Sequence, residues 1–534
     1  MRNWIMIFAA LMIIAIGLYG SIVLVLNEDR LKGLLALHVE RDTGRRIDIR
    51  GDLRVRLFPG LRLEAERIEI SGPAEYSGPS LLKAEFLEMN LRLVPMIRGE
   101  LQASQVRLRG ASINLHSDAD GMSSLQGLLV SEEDSDSAPS WLDGPVQVDD
   151  VLINLSDGID FHQEQFSVDQ IELEGFATGE ALQFRFIGNV GDPALFDWLE
   201  INALMIPQAE DDFRLTNMQM TGSMEDGHFA IELLGNLDVR PGPPLMVALD
   251  SGRLRINDHH FQAQLSYSAF DRPYVNMGLS SDLIDLDVAA LPTLLAEHLG
   301  ADSSSRVVSG LQAMDFDLDL VIDQVAQAGL ILNDVELQAQ SRQRRLSVDR
   351  LVAEVPGGHL SALGVLDMAR AGWSSEVGLR IDADDFSLLG RAIPWAWMPG
   401  GAGAFSLALV LGPGEAGMSI DGEGAVEIWN GQWPVLQGLV PEVWPSIGSE
   451  PFEYLSSPIQ VRSDQIELTG LQVVNEQLVA QGRLALDWPL GPVEGVLDMT
   501  FEDDYLNVLV GGSLSEPLIE WTRPHPQLQA GADP

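Results

Sequence analysis

The sequence predicts a mainly β protein held at a membrane by a single N-terminal helix, and three observations predict it. An uncharged apolar run, Trp4 to Leu26, opens the chain and never recurs. Downstream, apolar and polar residues alternate in stretch after stretch, the period of two that turns one strand face to apolar surroundings and the other to water. Helical periodicity is confined to a few short segments.

The opening run would form a helix of about 35 Å at roughly 1.5 Å per residue, enough to cross a hydrocarbon core about 30 Å thick. Trp4, Leu11, Ile16 and Leu26 mark it as an anchor. A cleaved signal peptide is the competing reading. The run is too long for its apolar region, and Leu24-Val25-Leu26-Asn27 offers no small-residue cleavage site. Arg2 before it, with Glu28 and Asp29 after it, favours a cytoplasmic N-terminus and places the bulk of the chain across the membrane.

A short helix is expected from Asp29 to Asp42, ended by Thr43-Gly44. Then Ile47, Ile49, Gly51, Leu53, Val55 and Leu57 alternate with charged residues, and Pro59-Gly60 turns the chain. Leu61, Leu63 and Ala65 continue on one parity but Ile68 and Ile70 lie on the other, which a bulge near Glu66-Arg67 reconciles. Leu87, Met89, Leu91 and Leu93 form the next strand; Phe316, Leu318, Leu320 and Ile322 repeat the pattern, as do Ala480, Gly482, Leu484, Leu486 and Trp488. Further helices are expected at Pro193 to Met205, Leu283 to Leu299 and Phe386 to Met398, with something irregular between Pro434 and Ile447. These are too few to cover so many apolar strand faces. Either the sheet folds on itself as sandwiches or barrels, or it curls into a trough whose interior meets something other than protein. Periodicity leaves both open.

The expected organisation is an anchor at 1–27, an N-terminal β region at 28–130, an acidic linker at 131–140 (SEEDSDSAPS), a central β region at 141–300 and a C-terminal β region at 301–534. Net charge is −46, unevenly placed: 15 Lys and Arg against 13 Asp and Glu from Asn27 to Gly110, but 17 against 66 beyond it. Such a field opposes nucleic acid. The arginines from Arg41 to Arg62 either meet anionic headgroups behind the anchor or are ordinary outward charge. Without cysteine, disulfides, thiol catalysis and Cys-ligated zinc are excluded.

No catalytic constellation stands out. There is no His-Glu-x-x-His and no Gly-x-Ser-x-Gly; Gly422-Glu423-Gly424 precedes a strand rather than a helix; His259-His260 follows a turn at Asn257-Asp258. Asp118-Ala119-Asp120-Gly121 starts like a calcium loop but has Leu129 where the last ligand would fall. No enzyme activity, metal or cofactor is expected.

Several pieces resemble the AsmA family of Gram-negative envelope proteins. At the N-terminal end they are Thr43-Gly44-Arg45, Ile49-x-Gly51-Asp52-Leu53, Phe58-Pro59-Gly60-Leu61, Ile68-Glu69-Ile70, Pro95 to Leu101 and Val106-Arg107-Leu108. Toward the other end they are Pro356-Gly357-Gly358, Asp385 to Leu389, Gly422-x-Gly424-x-Val426-x-Ile428-x-x-Gly431 and Val508-x-Val510-Gly511-Gly512-Ser513-Leu514-x-x-Pro517. The resemblance implies an elongated, curled antiparallel β-groove with a few short helices, tied to the bacterial inner membrane by one span and otherwise periplasmic. Ile47, Ile49, Leu53, Val55, Leu57, Leu61, Leu63, Met89, Leu91, Leu93, Phe316, Leu318 and Leu320 are then its lipid-groove candidates. The expected partners are phospholipids, the inner membrane and an outer-membrane or periplasmic protein. The expected function is phospholipid transfer toward the outer membrane; the alternative is an assembly or quality-control factor for outer-membrane proteins, binding strands by edge pairing.

Overall fold

The structure, a computed structural model, describes residues 28–522 apart from 57–59, 75, 93, 96–101, 117–122, 125–141, 143, 157–162, 176–180, 189–195, 209–211, 225–226, 242–243, 270–271, 286–312, 328–329, 368–373, 393–397, 415–416, 434–450, 463–464, 488–490, 502–503 and 514–516. The anchor run with Trp4, Leu11, Ile16 and Leu26, the acidic segment 131–140, and Leu57 and Leu93 lie outside the described residues. Among those described, no helix is long and apolar enough to cross a membrane.

Two compact units result, 1–257 with 264–274 and 258–263 with 275–534. In unit 1, α1 (Glu28–Thr43) precedes β1 (Ile47–Ile49), β2 (Leu53–Arg56), β3 (Leu61–Ile70), β4 (Leu82–Leu91), β5 (Ala103–His116), β6 (Val146–Ser156), β7 (Gln163–Glu174), β8 (Leu182–Gly188), β9 (Trp198–Pro207), β10 (Phe213–Met224), β11 (Phe229–Pro241) and β12 (Leu245–Ile256). Strands β13 (His259–Ala269) and β14 (Pro273–Asp285) contribute residues to both units. Unit 2 continues with β15 (Asp315–Gln327), β16 (Leu330–Arg342), β17 (Arg345–Val355), β18 (Gly358–Asp367), β19 (Ser374–Ala383), α2 (Phe386–Ala392), β20 (Ala402–Gly414), β21 (Gly417–Gly431), β22 (Phe452–Arg462), β23 (Gln465–Val474), β24 (Leu478–Asp487), β25 (Val493–Phe501), β26 (Asp504–Gly512) and β27 (Pro517–Thr522).

Among the described residues of each unit the pairing is an antiparallel meander, except that β5 and β6 run parallel, Val106 beside Val146 and His116 beside Ser156. A connection from 117 to 145 separates them, long enough for the return crossing that a parallel pair demands. Among the described residues neither unit closes into a barrel. Among the described residues no pairing joins β1 or β2 to β12, or β15 to β27.

Helix α1 ends as its sequence suggests. Gly44 takes φ +65° and its N–H donates to the Glu40 carbonyl at 2.9 Å, the left-handed helix stop that glycine adopts without strain. Leu35 and Val39 are buried, and Leu35 packs into the core beneath β2 to β7, while Leu37 stays two-thirds exposed. Arg45, also buried, donates to the Ser124 carbonyl at 2.6 Å and ties the helix end to the strands.

The expected strand from Ile47 onward is two, β1 and β2, both paired with β3 and separated by the predicted bulge. Arg50, Gly51 and Asp52 face Glu66 and Arg67, and Arg67 adopts φ +54°. A Cβ on Gly51 would lie 2.3 Å from the Glu66 carbonyl oxygen, so only glycine fits. The same change of parity crosses β3 to β7 at one level: Ala65 to Ile68, Leu87 to Ala84, Leu108 to Ala111, Val148 to Val151 and Ile171 to Val168. Gly110 and Asp150 share the positive φ of Arg67. Two successive residues thus point outward on each strand, bending the sheet while keeping its apolar face unbroken.

Two helix expectations need correction. Residues 198–205 are strand β9, because Leu199, Ile201, Ala203 and Met205 follow the period of two and pair with β8 and β10. Residues 283–285 end strand β14. The expectation at Phe386 holds for α2 as far as Ala392.

Candidate functional site

Strand registers assemble the alternating residues into lanes running across the sheets. In unit 1 one lane reads Leu53, Ala65, Leu87, Leu108, Val148, Ile171, Phe186, Ile201, Met220, Leu233, Leu254, one residue from each strand β2 to β12. A second reads Ile49, Ile68, Ala84, Ala111, Val151, Val168, Gly188, Leu199, Gly222, Ile231, Ile256. Unit 2 has its own, from β15 to β27: Leu320, Leu337, Leu351, Ala362, Leu379, Leu407, Gly424, Ile459, Leu468, Leu484, Gly495, Val510, Ile519. No polar side chain interrupts any of the three.

The opposite face is polar and paired. Arg54, Glu64, Glu88, Arg107, Gln147, Glu172, Arg185 and Asn202 form the neighbouring row of unit 1 on that side. Arg56 meets Glu64 at 3.1 Å, Arg62 meets Glu88 at 2.9 Å, Arg107 meets Asp149 at 2.6 Å, and Arg50 reaches both Asp48 at 3.0 Å and Glu69 at 2.6 Å. The arginines following the anchor are therefore largely matched across strands, the pattern of ordinary outward charge. The hydrogen bond from Arg185 and, first of all, the one from Asn202 hold the Glu200 carboxyl below its usual range.

The lanes are not equally filled. Leu53, Leu61, Leu63, Met89 and Leu91 are buried in a core that Leu35 of α1 joins, with Ile47, Ile49 and Val55 packed against it. From β7 onward the first lane is half-buried at Ile171, Phe186, Ile201, Met220 and Leu254 and buried at Leu233. In unit 2, Phe316 is buried and Leu318 and Leu320 are half-buried. The lane stays half-buried from Leu320 to Gly424, and from β22 onward Ile459, Leu484 and Val510 are enclosed. One flank of unit 2 is solid throughout: Val355, Ala383, Ile428, Leu455, Val473, Ala480, Met499 and Leu506 pack with Phe386 and Leu389 of α2 and with Trp433. The half-buried stretch of β7 to β12 was not among the sequence candidates. Phe184, Phe186 and Met220 carried the signal, since the same alternation runs through them.

A cavity of about 780 Å³ lies along β17 to β22. The lane residues Leu351, Ala362, Leu379, Leu407, Gly424 and Ile459 line it together with Arg350, Ser361, Leu363, Arg380, Ser406 and Gln460. Small residues between larger ones make the depression. Among the described residues, no three metal-ligating side chains come together. Asn257, with φ +51°, forms the turn before His259 and His260. Residues 118–121 lie outside the described residues.

Residues 2–180 match the model of the AsmA family, which bears out the likeness of the N-terminal motifs. The chain is 20% identical over 409 residues to Protein AsmA of Escherichia coli (strain K12), a match covering 69% of this chain and 64% of that protein's length. No solved structure matches.

Proposed function

With the first third of the chain an AsmA-family region, we propose that this protein is an inner-membrane-anchored, periplasmic lipid carrier whose apolar lanes hold phospholipid acyl chains on their way to the outer membrane. The observation that carries this reading is the unit 2 lane from Leu320 to Gly424. It is apolar at every strand and no more than half-buried for seven strands in succession. A sandwich or barrel core would hide such a surface against a second layer. An acyl chain laid there loses its hydration cost, about 0.8 kcal/mol per methylene, while its headgroup stays wet. No chemical step is involved; lipid moves by diffusion along the lane.

Residues 4–26 supply the anchor in this reading, on the strength of their length and lack of charge. The test is to purify the full chain in mild detergent and identify bound molecules by mass spectrometry, with a photoreactive residue at Leu379 reporting what touches the lane. Phospholipid adducts are expected. Polypeptide adducts there would favour the outer-membrane assembly factor instead, and an empty lane with no adduct at all would leave a membrane-tethered scaffold.

A further inference from the structure

On the side opposite the lane, the earlier strands of unit 2 carry paired charge, Arg342 with Asp317 at 2.6 Å and Arg350 with Glu336 at 3.0 Å. The later strands present something else. Register aligns Trp429, Tyr454, Val474, Val479, Thr500 and Tyr505, one residue from each strand β21 to β26. Their chain neighbours Ile428, Leu455, Val473, Ala480, Met499 and Leu506 belong to the solid core, so this row points outward. Trp429, Val479 and Tyr505 stay 40%, 39% and 41% exposed, and the row offers aromatic and aliphatic surface to solvent.

A second row lies on the same face, two residues along each strand: Glu427, Ser456, Gln472, Gln481, Asp498 and Asn507. It has a hydrogen-bonding side chain at every strand and no cation; Arg483 stands one row further on. The two rows are tied together. Tyr454 Oη donates to Glu427 Oε1 at 3.3 Å, Tyr505 Oη donates to the Asp498 carboxylate, and Asn507 Nδ2 donates to the same Asp498 oxygen at 2.8 Å. The Trp429 and Tyr454 rings lie 6.1 Å apart and are inclined by 35°. Rings held in this way are ordered before a ligand arrives, which cuts the cost of binding it. Gln472 and Gln481 are exposed and form no side-chain hydrogen bond among the described residues.

Cross-strand aromatics alone stabilise a sheet. The second row is what such a role does not require. Aromatic faces suit the C–H faces of sugar rings, while amides donate and accept and carboxylates accept, the groups that a run of hydroxyls needs. With two carboxylates and no Lys or Arg in either row, the strip opposes phosphate, nucleic acid and acidic glycans. Five strand spacings of about 4.8 Å make it about 24 Å long, room for several sugar rings in line. We propose that this strip, with Trp429, Tyr454 and Tyr505 as stacking platforms and Gln472, Gln481 and Asp498 as hydrogen-bonding partners, binds an extended, uncharged glycan chain laid across β21 to β26. The site is on the other side of the sheet from the lane and is independent of what the lane carries.

The test is calorimetric titration of the full chain, in a detergent without a sugar headgroup, with the β-linked hexamer of N-acetylglucosamine and with its dimer. The hexamer is expected to bind, and the dimer to bind about tenfold more weakly because it cannot span from Trp429 to Tyr505. Trp429→Ala should weaken the hexamer about tenfold and Trp429→Phe much less, as stacking demands. Gln472→Ala with Gln481→Ala, at two exposed positions that leave the core intact, should weaken it about fivefold and decides the matter if Trp429→Ala fails to fold. Leu379→Ala in the lane should leave hexamer binding unchanged. A wild type that does not bind the hexamer at millimolar concentration overturns the site, and so does hexamer binding that neither the Trp429 nor the glutamine variants weaken. Tighter binding of heparin, a sulfated glycan, than of the hexamer overturns the uncharged ligand. Capture of polypeptide and no glycan by a photoreactive residue at Gln481 in intact cells would make the strip a protein interface and overturn the proposal.

Discussion

Within unit 1 a single apolar lane is solid at one end and half-open at the other. Leu53, Ala65, Leu87, Leu108 and Val148 are buried on β2 to β6, whereas on the later strands Ile171, Phe186, Ile201, Met220 and Leu254 keep contact with solvent and Leu233 is buried. Sequence alternation is the same in both stretches. What differs is cover: α1 brings Leu35 into the first, and the aligned parity change of β3 to β7 bends those strands around a common core. β10 changes parity as well, at Leu215 to Met218, but its residues lie outside the core that Leu35 joins. The lesson is that an apolar face becomes core or binding surface according to what stands over it, and the candidates read from the first strands fell on the covered part.

That contrast can be broken most sharply by cavities. Leu63, 0% exposed, should lose about 2–5 kcal/mol of stability on Leu63→Ala, measured by urea unfolding, because its neighbours cannot collapse into the space. Gly51→Ala should cost about 1–3 kcal/mol in the same assay, since the new Cβ meets the Glu66 carbonyl and the bulge must shift. In the half-open stretch Ile201→Ala should cost less than about 1.5 kcal/mol, because part of the side chain is already wet, yet it should lower the amount of co-purifying lipid. If Ile201→Ala proves as damaging as Leu63→Ala and lipid content is unmoved, the two stretches are one core and the contrast is lost.

The smallest effect belongs to the polar face. Arg214 donates to Asp238, and that hydrogen bond holds the Asp238 carboxyl below its ordinary range against the opposing effect of burial. A carboxyl lowered by folding contributes stability above its unfolded pKa and loses it as pH falls through the folded value. The pair is nearly half exposed, so solvent screens it. Asp238→Asn should therefore leave the melting temperature at pH 7 within about 1 °C of wild type and remove only a slight slope in the acid range.

The period of two in Ile47 to Val55, Leu87 to Leu91 and Phe316 to Ile322 was enough to place β1, β2, β4 and β15 and to say which side of each is apolar. The glycine stop at Gly44 and the bulge at Arg67 were equally legible, because both depend on a few adjacent residues. Residues 198–205 were misread as helix because proline and short apolar spacing near Pro193 masked the alternation of Leu199, Ile201 and Ala203. The parallel pairing of β5 and β6 was not legible at all: nothing local distinguishes a strand that returns alongside its predecessor from one that turns back against it.

By itself, then, the sequence determined strand character, facing and charge, since these follow from local sterics and from hydration at each position. Only the tertiary structure decided which residues share a lane and which part of the apolar face is covered. Those properties depend on the pairing of residues far apart in the chain, and an alternating pattern is identical whether its partner strand, or its cover, is present or absent.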